Sequence, residues 1–149
     1  MPKAILALIA AGVSAAVFAV PVGAAQEIVT VRTTLGPAGD PDGSGTAVLQ
    51  LDAHDEAVCY EVNTQNVATP ITDLAIVSAE TGEVSVDLFV VFDEGPTIEE
   101  CVSVSAHQGH GRRELRRIAK DPSAYALEIY NDEHPSSPGA IRGQLEGVS

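Results

Sequence analysis

Residues 46 to 52 alternate strictly: Ala47, Leu49 and Leu51 fall on one face, Val48 and Gln50 on the other. This is the period-two signal of a strand with one buried face. Val58 to Asn63 repeats it after the acidic turn His54-Asp55-Glu56, so the two segments predict a hairpin. Upstream, Ile28, Val29, Val31 and Leu35 predict a first strand, which the Gly/Pro/Asp-rich stretch from Gly36 to Gly45 ends. Downstream, the apolar run Leu74 to Val77, the turn Thr81-Gly82-Glu83 and a longer segment from Val84 to Phe92 predict a second hairpin. Val84, Val86, Leu88, Val90 and Phe92 are expected on one face of it. Glu94 to Glu100 reads as an acidic loop, Cys101 to Val104 as another strand, and Tyr125 to Tyr130 with Ala140 to Leu145 as a final pair. Helical spacing occurs clearly once, in Arg112 to Lys120, where Leu115, Ile118 and Ala119 share a face and Asp121-Pro122 ends the element. Seven or eight short strands and one helix predict an all-β sandwich or barrel.

The N-terminal residues change this picture by adding an address. Lys3 precedes an apolar run from Ala4 to Val20, followed by Pro21 and the small residues Gly23, Ala24 and Ala25. That three-part pattern predicts a secretory signal peptide over residues 1–25, cleaved after Ala25, and a secreted, extracellular product with no membrane association after cleavage. Residues 26–149 then form a single domain of 124 residues. The whole chain holds 21 acidic and 8 basic residues, net −13. Removing Lys3 leaves −14, which opposes binding to nucleic acid or anionic lipid.

Cys59 and Cys101 are the only cysteines. An even pair in an exported chain, each within an alternating apolar segment, predicts a disulfide joining two strands rather than a metal site or a catalytic thiol. Other candidate chemistry is thin. Asp40, Asp42, Ser44 and Gly45 match the first half of a calcium loop, but the twelfth position is Leu51 where a bidentate Glu belongs, so a turn is expected. His107 and His110 are two ligands at most, and His54 and His134 lie in separate polar turns where solvated side chains are expected. No serine sits in a nucleophile elbow, and the carboxylate pairs Glu99-Glu100 and Asp132-Glu133 are read as solvated. Neither a catalytic residue, a metal ligand nor a cofactor is assigned.

The charge distribution holds the one functional lead. Arg112, Arg113, Arg116, Arg117 and Lys120 are five of the seven cations that follow the leader. At helical spacing Arg112, Arg116 and Lys120 form one stripe and Arg113 and Arg117 another, opposite Leu115 and Ile118. A polyanion such as a glycan or wall polymer could dock there; the competing reading is a solvated face paired with neighbouring acidic loops.

The closing strand Gly139-Ala140-Ile141-Arg142-Gly143-Gln144-Leu145 resembles the signature strand of the CHRD (chordin-type) domain. The segment Gly39-Asp40-Pro41-Asp42-Gly43-Ser44-Gly45-Thr46-Ala47 is similar to that family's opening, Val58-Cys59-Tyr60-Glu61-Val62 to its third strand, and Asp121-Pro122-Ser123-Ala124-Tyr125 to the polar turn before a Tyr-containing strand. The resemblance covers roughly residues 31 to 146 and implies a Greek-key sandwich or barrel with a plan like that of copper/zinc superoxide dismutase. Many CHRD domains carry a His-Ile-His triplet, which falls here on Ala75-Ile76-Val77. A further histidine of the family falls on Tyr130, and an Asn on Glu128. The family implies a non-catalytic extracellular interaction or structural module whose partner is an unidentified protein or glycan. The alternatives are a small metal-binding or dismutase-like protein, which the missing imidazoles disfavour, and polyanion binding through the Arg-rich helix.

Overall fold

The computed structural model describes residues 27–88, 95–104 and 111–149. The expected leader, the far part of the segment from Val84 to Phe92, and His107 and His110 lie outside the described residues. Nine strands are described: β1 (Ile28–Pro37), β2 (Ser44–Asp52), β3 (Ala57–Gln65), β4 (Ile71–Ser78), β5 (Val84–Asp87), β6 (Thr97–Ser103), β7 (Tyr125–Asn131), β8 (Ile141–Gln144) and β9 (Glu146–Gly147). One helix, α1 (Gly111–Lys120), and a 3-10 turn at Pro122–Ala124 complete them.

All pairings are antiparallel, in the order β5-β4-β7-β8-β1-β2-β3-β6, with β9 also on β1. β1 joins the two halves of the sheet. It pairs with β2 from Ile28 to Leu35, and its end at Gly36 and Pro37 pairs with Ile141 and Arg142 of β8. The sheet curls so that both inner faces share one core, where Leu49, Leu51 and Val62 meet Leu74, Ile76, Leu127, Ile129 and Ile141. Among the described residues the fold is therefore all-β with a single helix, as the alternation implies. The β2–β3 hairpin has the expected faces, with Ala47, Leu49 and Leu51 opposite Val62, Tyr60 and Val58 in register and all buried.

Four boundaries differ from the sequence pattern. β9, a two-residue strand, raises the count beyond eight, and is too short to carry a period. β1 runs two residues into the Gly/Pro stretch because β8 supplies partners for Gly36 and Pro37. β6 begins at Thr97, so Glu99 and Glu100 belong to a strand rather than a loop. They pair with Glu61 and Tyr60, and such charges suit an edge strand that must not recruit another chain. Finally, Val84 is half exposed while Val86 and Leu88 are buried, because a register shift between Ile76 and Val77 breaks the common face.

Two glycines of the closing signature have a steric reason. Gly139 adopts φ 75°, a left-handed conformation that disfavours side chains. Gly143 lies so close to Thr33 and to the Thr34 carbonyl that a Cβ there would overlap both.

Candidate functional site

Ala75, Val77 and Tyr130, onto which the family resemblance places histidines, converge on the outer face of the β4–β7 pair. Register sets Asp73 opposite Tyr130, Ala75 opposite Glu128, and Val77 opposite Ala126. Ala75, Val77, Ala126 and Tyr130 form a second, smaller apolar cluster, separate from the main core. β7 is thus buried on both faces, which is why its outward residues read like core.

Glu128 sits within this cluster, fully buried, and its carboxylate is saturated by donors. The Tyr130 hydroxyl donates to Oε2 at 2.6 Å, and the Ser137 hydroxyl to Oε1 at 3.0 Å. The Arg142 guanidinium reaches Oε1 at 3.1 Å and donates to the Ala79 carbonyl at 2.7 Å. Arg142 is thereby an internal ion-pair partner. Burial, then the bond to Glu128, raises the Tyr130 hydroxyl pKa above its ordinary value, so it remains a donor. The arrangement holds an ion pair in place.

Beside it opens a cleft of about 260 Å³ bordered by Asp73, Asp87, Tyr130, Gly82 and Ser136. Burial first, and then the neighbouring Asp87 carboxylate, pushes the Asp73 carboxyl from 3.8 up to about 6, against the lowering effect of the Leu74 N–H that it accepts at 2.8 Å. Between about pH 4 and 6 the folded state therefore holds a proton that the unfolded chain has released, and stability falls as pH rises through that window. Asp73→Asn keeps the oxygen for Leu74 and removes the charge. After discounting for partial exposure, it should stabilise the protein by about 1 kcal/mol at pH 7.5 and leave it unchanged at pH 4. Urea unfolding at both values checks this, and an equal effect at both would refute it.

α1 buries Leu115 and Ile118 and exposes Arg112, Arg113, Arg116, Arg117 and Lys120. Glu114 in its first turn and Arg117 and Lys120 in its last oppose the helix dipole favourably. Arg112 donates to the His54 carbonyl at 3.0 Å and lies 3.9 Å from Glu56, and Arg117 pairs with Glu114 at 3.3 Å. Arg113, Arg116 and Lys120 make no ion pair among the described residues.

Cys59 and Cys101 form a disulfide between residues directly opposite on β3 and β6. The remaining candidates separate. His54 is exposed and bonded to Asp55. His134 is not a solvated loop residue: its side chain is 29 % exposed and its Nε2 lies 3.1 Å from Asp40 Oδ1. Asp40 is buried, so the incipient calcium loop turns its first carboxylate inward to His134 and Asn131. Two contacts were not read from sequence, Asp40 with His134 and Asp73 with Asp87; for Glu128 the signal was present, as the lone charge within an apolar strand.

A family model for the CHRD domain matches residues 18–145. No curated protein and no solved structure matches the chain. With the match spanning nearly the whole sequence and the signature strand seated as β8 beside β1 and β7, the chain belongs to the CHRD-domain family.

Proposed function

We propose that this CHRD-domain protein is an exported, non-catalytic interaction module that meets an anionic partner through α1. The observation that carries the reading is the helix itself: four arginines and a lysine are exposed on one short element of a chain with net charge −13. Three of those cations are left unpaired among the described residues, a cost in self-repulsion that an anionic polymer would relieve. The leader pattern and the disulfide support an oxidising, extracellular setting. No helix among the described residues is long and apolar enough to cross a membrane. Against a dismutase-like alternative stand Ala75, Val77 and Tyr130, whose side chains pack in place of imidazoles.

The test is titration with heparin as the anionic polymer at low and high salt. Wild type is expected to bind at low ionic strength and to weaken steeply as salt screens the contact. Arg113→Glu with Arg116→Glu, two exposed cations without an ion pair among the described residues, should lower affinity at least tenfold while leaving the unfolding midpoint nearly unchanged, since exposed charges contribute little to stability. Undiminished binding by the double variant would refute the assignment.

A further inference from the structure

Ninety-four residues apart in sequence, Asp40 and His134 are brought together by a short backbone zipper. Ala38 N–H and Asp40 N–H both donate to the Ala140 carbonyl, and Gly39 N–H donates to the Gly139 carbonyl at 2.9 Å. Opposite, the turn after β7 is closed by His134 N–H, which donates to the Asn131 side-chain oxygen at 2.8 Å. Gly39 is packed against the His134 ring so closely that a Cβ there would overlap it, which fixes the imidazole plane. Glu133 completes the group: donor atoms of Asp40, Glu133 and His134 all lie within 4.8 Å of one another.

We propose that Asp40, Glu133 and His134 form a binding site for a divalent transition metal of the zinc class. In tetrahedral coordination two donors about 2.0–2.2 Å from one such ion stand about 3.3–3.6 Å apart, and Nε2 and Oδ1, now 3.1 Å apart, need to part by only a few tenths of an ångström to reach it. The ion would take the place of the hydrogen bond that now joins Nε2 and Oδ1. One imidazole and two carboxylates suit zinc better than calcium or magnesium, which take oxygen donors alone. Asp40 is oriented from behind, where its Oδ2 accepts from the Ala68 N–H and from the Asn131 amide, both at 3.4 Å. Glu133 is exposed, so the ion can enter from solvent and keep water in its remaining position. None of these ligands belongs to the positions where relatives carry histidine, and the site is independent of α1.

The experiment is native mass spectrometry of the untagged protein with added zinc, joined to thermal unfolding with and without it. Wild type should retain one zinc per chain and unfold at a higher temperature in its presence. His134→Gln should weaken binding about 100-fold and abolish the thermal shift, and the exposed Glu133→Gln, which leaves the packing intact, should weaken it about tenfold. Absence of stoichiometric zinc on wild type would overturn the proposal. So would unchanged binding by His134→Gln or by Glu133→Gln, since the ion would then be held elsewhere.

Discussion

Glu128→Ala is expected to destabilise the protein by about 3–5 kcal/mol, because it breaks a buried ion pair from one side. The Glu128 carboxylate is fully buried and accepts from Tyr130, Ser137 and Arg142. Truncation would leave the Arg142 guanidinium with the Ala79 carbonyl as its remaining partner, and the Tyr130 hydroxyl without its acceptor. A double-mutant cycle with Arg142→Met distinguishes this from a simple cavity. Once both charges are gone, the double variant should recover part of the loss, giving a coupling of about 1 kcal/mol or more by urea unfolding. Additive losses, or a loss below about 1 kcal/mol in Glu128→Ala, would show that the pair contributes little.

Removing the disulfide should have the second largest effect. Cys59 and Cys101 are separated by 42 residues and already face each other in register, so oxidation constrains chiefly the unfolded chain. For a loop of that length the chain-entropy model gives about 4 kcal/mol. Cys59→Ser with Cys101→Ser is therefore expected to lower the unfolding midpoint by roughly 15 °C while β3 and β6 stay paired. Calorimetry of the oxidised parent and the double variant checks this; a shift of a few degrees would indicate that the unfolded chain is already compact in this region.

Much of the fold could be read from residue pattern wherever a strand buries one face. β2 and β3 show clean alternation, and α1 shows the one apolar stripe at helical spacing. Legibility failed where burial is two-sided or where pairing is remote. In β7 the outward Ala126, Glu128 and Tyr130 are as buried as the inward Leu127 and Ile129, so period alone cannot say which face holds the polar centre. The pairing of Arg142 with Glu128 requires the β7–β8 register, and the turn from Asp132 to Ala140 does not encode that locally. Asp73 and Asp87 meet through the β4–β5 hairpin, whose register shift leaves no mark in hydrophobicity. Asp40 and His134 meet only after the chain ends of the sheet are zipped together.

These placements divide the molecule into parts with different work. The β4–β7 outer face is closed over a satisfied ion pair. The cationic helix is open to solvent on the side away from Leu115 and Ile118. Amide chemical-shift mapping by NMR, with a sulfated heparin oligosaccharide added at low salt, tests that division most directly. The account predicts perturbations centred on Gly111–Lys120 and the adjoining turn around Glu56, with Asp73, Asp87 and Tyr130 unmoved. Perturbations centred instead on Asp73, Asp87 and Tyr130, or no perturbation at all, would contradict it.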